Sequence, residues 1–119
     1  MSKKILIVDD EEGIRESLKL ILEDHYELVL IEEGPKAVEV LKNTPGVGLV
    51  LLDIKMPQQN GLEVLKNIKA GFPDLEVIIV TGYKSVETAT EAVRLGASGY
   101  IVKPFKTDEI LATVRNHLG

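Results

Sequence analysis

Cysteine is absent from this chain of 119 residues. That absence removes a disulfide framework, a thiolate metal site and a thiol nucleophile together. Long apolar runs are absent too. After Met1-Ser2-Lys3-Lys4 only four apolar residues precede Asp9-Asp10, too few for a signal-peptide core, and no other stretch is long enough to span a bilayer. The expectation is a cytoplasmic protein with no membrane contact. Positive charge is in deficit. A formal net charge of −5 argues against direct nucleic-acid binding, which needs a basic face. There is no low-complexity segment, linker-like stretch or internal repeat. The length suits a single domain, 1–119, that buries about two-thirds of its unfolded surface and needs no covalent staple.

What is present is a set of short apolar runs, each followed by a polar residue. They are Ile5-Leu6-Ile7-Val8 before Asp9-Asp10, Leu28-Val29-Leu30-Ile31 before Glu32, and Leu49-Val50-Leu51-Leu52 before Asp53. Val77-Ile78-Ile79-Val80 before Thr81 and Tyr100-Ile101-Val102 before Lys103 complete the set. Runs of this length, rich in Val and Ile, read as strands buried on both faces of a parallel sheet. Helical spacing fills the gaps: Ile14, Leu18, Ile21 and Leu22; Ala37, Val38 and Leu41 after Pro35 in a first turn; and, in a weaker pattern, Leu62, Leu65 and Ile68 or Lys69 after Gly61. Val86, Ala89, Ala92 and Val93 form a fourth apolar face that Gly96 ends. Ile110, Leu111, Val114 and Leu118 form a fifth, with Thr107 as its N-cap. The fold class is α/β, a (βα)5 doubly wound five-stranded parallel sheet with helices on both sides.

Ligands of such sheets bind outside the carboxyl ends of the strands. Four of the five ends here carry chemistry that fits one site. Asp9-Asp10 is a hard oxygen donor pair of the kind Mg²⁺ takes; taken alone it reads sooner as a solvated loop or a cap for the Ile14 helix, because Glu11-Glu12 extend the acidic run. Asp53 can act as a nucleophile that forms an acyl phosphate, or cap a loop. The Thr81 hydroxyl can donate to a phosphoryl oxygen beside Gly82, or simply end a strand. Lys103 offers a compact cation for a phosphoryl oxygen, or is a surface lysine; Pro104 after it allows a cis bond. Each signal is weak alone, and their placement on four strand ends is what joins them. The run Glu32-Glu33-Gly34 belongs to an edge strand away from the site. His25 and His117 are given no role, whereas Tyr83 and Tyr100 fall beside the strand ends that matter.

Val8-Asp9-Asp10, Leu52-Asp53-Ile54-Lys55-Met56-Pro57, Asn60-Gly61, Thr81-Gly82-Tyr83 and Lys103-Pro104-Phe105 closely resemble the receiver domain of two-component response regulators. The resemblance covers the whole chain. It implies a flavodoxin-like sheet of strand order 2-1-3-4-5. It implies that Asp53 accepts a phosphoryl group from a histidine kinase or histidine phosphotransfer domain. It also implies that Asp9, Asp10, Asp53 and the backbone carbonyl of Lys55 bind Mg²⁺, Asp9 mainly through water. Thr81 and Lys103 would contact the phosphoryl oxygens, and Tyr100 matches the aromatic switch position. The expected function is a phosphorylation-controlled switch whose surface changes around the fourth and fifth helices and the fifth strand. Such a protein is not an enzyme in the sense of turning over an external substrate. An output domain or downstream protein would read the switch.

The sequence departs from the family at Asn60, where an Asp often stands, and at Gln58-Gln59. The run Thr81-Gly82-Tyr83 with Val86-Glu87-Thr88-Ala89 is similar to receivers of transcriptional activators that carry an ATPase domain. Lys55 and Tyr83, each two residues past a site residue, are expected to border the water approach to a phosphorylated Asp53 and so tune its lifetime. Three rival readings are a hydrolase with an aspartyl nucleophile, a flavin module of the same topology and a degenerate receiver that serves only for docking. An aspartyl phosphohydrolase would want a carboxylate at the position of Lys55. A flavin module would want a Ser/Thr/Gly-rich loop where this chain has Asp10-Glu11-Glu12-Gly13. A docking scaffold would not need the intact site set.

Overall fold

Every expected run becomes a strand of one parallel sheet. The strands are β1 (Lys4–Val8), β2 (Glu27–Ile31), β3 (Val47–Leu52), β4 (Glu76–Thr81) and β5 (Gly99–Val102). In this computed structural model, which describes residues 3–56 and 59–118, the order is β2-β1-β3-β4-β5. All four pairings are parallel, for example Val8 beside Ile31 and Leu52, and Leu52 beside Ile79. The order 2-1-3-4-5 is thus the observed one, with β2 at an edge. Pro57 and Gln58, named above as loop residues, lie outside the described residues, as do the first two and the last.

Alternate residues of the strands feed two cores because the side-chain period of a strand is two. Leu6, Val8, Val50, Leu52, Val77 and Ile79 face α2 (Ala37–Asn43), α3 (Gly61–Gly71) and α4 (Val86–Arg94) through Ala37, Leu41, Val64, Leu65, Ile68 and Ala92. Ile5, Ile7, Leu49, Leu51, Ile78 and Val80 face α1 (Glu12–Leu22) and α5 (Thr107–Leu118) through Leu18, Leu22, Ile110 and Val114. A sheet covered on both faces explains why the runs are continuously apolar. It also leaves the strand ends as the place where polar side chains can sit. Among the described residues no helix is long and apolar enough to cross a membrane.

Two helical expectations change. Val86 and Val93 are 80% and 60% exposed, and of the four residues expected to seat α4 only Ala92 is fully buried. The spacing is helical, but this short helix meets the sheet through Ala92 and the adjoining Leu95 and Ala97. Its valines therefore turn outward. Thr107 is the first residue of α5 rather than its cap: the Lys106 carbonyl accepts from Ile110, and the Lys106 amide donates to Glu109 Oε1 at 3.4 Å. That Glu reaching back to the cap amide is half of a capping box. At the end of α4, Gly96 has φ of +104°, and the Gly96 and Ala97 amides donate to Val93 and Ala92. This is the paired bonding of a Schellman stop.

Pro35 falls in a 3-10 turn, Gly34–Lys36, that runs directly into α2. The Asn60 side chain caps α3 by accepting the amides of Leu62 and Glu63. Gly61 then packs so tightly that a Cβ there would lie 2.2 Å from the Ile54 Cα and 2.6 Å from its carbonyl oxygen. These are backbone atoms of the loop that follows Asp53. Gly61→Ala should therefore destabilise the fold by about 1–3 kcal/mol, the usual penalty of overpacking, as measured by urea unfolding. A loss below about 0.5 kcal/mol would show that the loop simply moves aside.

Candidate functional site

The site residues are held by the sheet's own ladder. Beyond β1 the Asp9 amide donates to the Ile31 carbonyl at 3.1 Å, and the Asp53 amide donates to the Val8 carbonyl at 3.0 Å. The Lys103 amide donates to the Thr81 carbonyl at 2.8 Å. With the β3–β4 pairing, these bonds fix the ends of all five strands side by side before any side-chain contact is counted. Among the described residues Asp9, Asp53 and Thr81 are the buried polar ones, at 2%, 2% and 0% exposure. Asp53 and Lys103, with Asp10, Glu11, Lys55 and Pro104, line a cleft of about 500 Å³.

Lys103 is the hub. Its Nζ donates to Asp9 Oδ2 at 2.8 Å and Asp53 Oδ2 at 2.9 Å, and it reaches Glu11 Oε1 at 3.2 Å. Burial, the largest influence on this ammonium, lowers its pKa, but the hydrogen bonds and charges of Asp9 and Asp53 outweigh burial and raise it well above 10.5. Lys103 is therefore cationic throughout the useful pH range. Asp9 is raised above 3.8, first by burial and then by the charge of Asp53, against the lowering pull of Lys103 and the Glu11 amide. The Lys103–Pro104 peptide bond is cis, the isomer that Pro104 allows.

Neither carboxylate is spent on helix capping. The α1 cap, Glu11, makes no side-chain cap bond, and Asp9 Oδ1 instead accepts the Glu11 amide at 2.9 Å. Asp53 Oδ1 accepts the Lys55 amide at 2.8 Å. The loop-cap reading of Asp53 is thus half realised: one oxygen ties its loop, and the other faces Lys103 across the cleft. Asp10 differs from both. Its Oδ1 is buried and accepts no hydrogen bond. Ligand oxygens of Asp9, Asp10, Glu11 and Asp53 all lie within 4.8 Å of one another. Four carboxylates around one ammonium leave an excess of negative charge, and a buried oxygen without a donor is the position a cation would satisfy. The residues present therefore fit a hard divalent ion such as Mg²⁺.

The Thr81 hydroxyl accepts the Tyr83 amide at 3.5 Å. The Tyr83 carbonyl accepts the Tyr100 hydroxyl at 3.0 Å, and the half-buried Tyr100 ring packs against the core under α4. The Tyr83 ring lies beneath Lys55, whose Nζ is 5.3 Å from the ring centroid. A Cβ on Gly82 would only touch the Lys55 stem at 3.8 Å, so this glycine keeps the cleft mouth open rather than permitting a tight turn. Asp9, Asp10, Asp53, Thr81, Lys103, Lys55, Tyr83 and Tyr100 are all brought to the same end of the sheet. His25 and His117 stay away from it, His117 bonding its ring to the Thr113 carbonyl.

Two residues at the site were not singled out by the sequence. Glu11 read as a continuation of an acidic run, and its contact with Lys103 appears only when the fold brings the ends of β1 and β5 to the same carboxyl-terminal edge of the sheet. Arg15, one helical turn on from Glu11, donates to the Asp9 carbonyl at 2.8 Å and pairs with Glu32 at 3.6 Å. It braces the acidic loop from behind. Its only sequence signal is a basic residue inside an otherwise acidic first turn.

The model of the response regulator receiver domain matches residues 5–115. The chain is 38% identical over 120 residues to sporulation initiation phosphotransferase F of Bacillus subtilis, covering 99% of this chain and 95% of that protein. It is 37% identical over 119 residues to the response regulator protein FleR of Pseudomonas aeruginosa, covering 98% of this chain and 25% of that one. It therefore spans about a quarter of the length of FleR. Among solved structures it is similar to a CheY-like response regulator receiver domain protein from Methanospirillum hungatei JF-1. The TM-score there is 0.91 at 34% identity, over 98% of this chain and 93% of that one.

Proposed function

The chain belongs to the response regulator receiver domains, phosphorylated modules of two-component signalling, and from that premise we propose that Asp53 is its phosphoacceptor and Lys103 the cation that holds the transferred group. The observation that carries this reading is the placement of Lys103 Nζ between two buried carboxylates, 2.8 Å from Asp9 and 2.9 Å from Asp53. The donor is a phosphohistidine on a histidine kinase or a histidine phosphotransfer domain. An Asp53 oxygen forms the new O–P bond as the P–N bond to the donor imidazole breaks, and the electron pair of that bond leaves on the imidazole. Asp9, Asp10, Asp53 and the Lys55 carbonyl are the ligands we assign to Mg²⁺. When bound, that ion offsets the clustered negative charge and stabilises charge on the transferring oxygens. Residues 1–119 act as one receiver unit in the cytoplasm. The chain's own phosphorylation and dephosphorylation are its chemistry, with no external substrate turned over.

The switch follows from the contacts of Thr81. A phosphoryl dianion on Asp53 offers that hydroxyl a stronger acceptor than its present environment, while Lys103 supplies a second charged contact. Hydrogen bonds to charged groups contribute roughly 1.5–3 kcal/mol each. Two or three of them reach the ~5.5 kcal/mol that moves a two-state equilibrium from mostly off to mostly on. As Thr81 shifts, the Tyr83 amide loses its partner. The Tyr83 carbonyl that anchors Tyr100 moves with it, and the Tyr100 ring turns inward. The partner face is then α4, β5 and α5, where Val86 and Val93 already stand exposed for an output domain or downstream protein. Beryllofluoride with Mg²⁺, a phosphoryl mimic, should shift the amide NMR signals of Thr81, Val93, Tyr100 and Ile110 as well as those of Asp53. Shifts confined to the cleft would sink the switch.

Lys55 and Tyr83 set the lifetime in this reading. They meet over the cleft mouth as a cation on an aromatic face, and neither offers a carboxylate or amide to orient a water in line with the acyl phosphate. The phosphoryl group should persist longer than in fast-resetting chemotaxis-type receivers. The double variant Lys55→Asn, Tyr83→Glu should speed decay by roughly tenfold, short of full acid–base catalysis because no proton transfer is added. Decay of the phosphorylated protein followed by mass spectrometry measures this directly. A variant that decays no faster than the parent removes both residues from the account.

A further inference from the structure

An ammonium has three N–H donors, and in Lys103 all three are directed at carboxylates. The three bonds are not equal. Asp9 and Asp53 are nearly fully buried and lie at 2.8 and 2.9 Å, whereas Glu11 is 62% exposed at its side chain and lies at 3.2 Å. An exposed pair is worth little because water competes for both charges. Glu11 is therefore the partner that Lys103 surrenders most easily. Glu11 also belongs to the group of ligand oxygens within 4.8 Å of one another, beside the unpartnered Asp10 Oδ1. The same carboxylate thus faces both the lysine and the cation position.

We infer that Glu11 is an exchangeable counter-ion of the site: it occupies the Lys103 donor that a phosphoryl oxygen takes, and it adds a fourth negative charge to the field felt by the metal. This rests on the reading of Asp53 as phosphoacceptor. The two roles have opposite signs. Towards a divalent cation the extra carboxylate is attractive. Towards a phosphoryl group it is repulsive, and it must also be displaced from Lys103. Glu11 is a positioning residue in this sense, and it balances ease of metal loading against the hold on the phosphoryl group. A residue with a merely structural role would move both affinities in one direction or move neither.

Glu11→Gln keeps shape and a possible acceptor for Lys103 while removing the charge. Glu12→Gln is the control, since Glu12 is an exposed acid one residue further on that lies outside the ligand group. The chain has no tryptophan, so Mg²⁺ binding is followed by tyrosine emission or amide NMR, without any phosphodonor. A screened charge about 5 Å from a divalent ion changes its affinity by roughly three- to tenfold. Glu11→Gln should weaken Mg²⁺ by that factor, and Glu12→Gln by less than about twofold at its greater distance. With Mg²⁺ then held at saturation for each protein, beryllofluoride should bind Glu11→Gln about two- to fivefold more tightly than the parent, the repulsion there being with a single charge. Equal Mg²⁺ affinity in Glu11→Gln and the control, or weaker beryllofluoride binding in Glu11→Gln, overturns the inference while the parent's own binding leaves the phosphoacceptor reading standing. A parent that binds neither ligand overturns both.

Discussion

Lys103→Met will destabilise the metal-free protein by about 3–5 kcal/mol, the cost of breaking a buried ion pair by removing one partner. Asp9 and Asp53 are each 2% exposed and share this one ammonium, so the variant leaves two carboxylates facing each other with no buried counter-ion. For a domain of this length the loss corresponds to roughly 10–20 °C in Tm. Mg²⁺ should restore part of it, because a ligand that binds only the folded state stabilises that state. The pH dependence has a definite sign. Burial and Asp53 already hold Asp9 above 3.8, and loss of Lys103 takes away its hydrogen bond and charge, leaving the Glu11 amide alone to lower it. The folded variant then binds protons more tightly than the unfolded chain, so its stability falls as pH rises through that window. The deficit relative to the parent should be largest at neutral pH and should shrink as the medium is acidified. Urea unfolding in EDTA at several pH values tests this. A deficit under about 1 kcal/mol at neutral pH would mean that water already reaches the pair and screens it.

Asp53→Asn should abolish phosphoryl uptake while keeping the fold. Incubation of the parent with a small phosphodonor and Mg²⁺ should add one phosphoryl group by mass, and chelation of the metal by EDTA should prevent it. In the variant the nucleophilic oxygen is an amide oxygen, far weaker toward phosphorus, and the label should fall to background. Stability should stay within about 1 kcal/mol of the parent, the net worth of one hydrogen bond. The Asn oxygen can still accept the Lys55 amide, now made at 2.8 Å to Asp53 Oδ1. The charge that pushes Asp9 upward is removed as well. A variant that is labelled as heavily as the parent places the acceptor elsewhere. A variant that unfolds would show that Asp53 is needed for its structure, not only its chemistry.

The strands were legible in the sequence because their burial on both faces demands short uninterrupted apolar runs rich in Val and Ile, and the chain carries five of them. The helix faces of α1, α3 and α5 were legible from period 3.6. That of α4 was not, because periodicity reports which residues share a side of a helix but not whether that side meets the core. Val86 and Val93 have the right spacing and the wrong neighbours. The start of α5 was misplaced by one residue for a similar reason: Thr107 is a favourable cap, but the backbone of Lys106 is the part that the Glu109 side chain reaches.

By itself the sequence determined the fold class, the polar end of the sheet and the residue types gathered there. Those follow from local chemistry, which is written residue by residue. It did not determine which of the acidic residues meet. Glu11 and Glu12 are adjacent and alike, yet one touches Lys103 across 92 positions and the other does not. Likewise Lys55 and Tyr83 were placed near the cleft by their offsets, and only the packed chain sets the ammonium over the ring. The physical reason is that a Coulomb contact or a cation on an aromatic face depends on distances of a few ångströms between remote segments. Those distances are fixed by the register of β1 against β3 and of β4 against β5, which no single stretch of the chain contains.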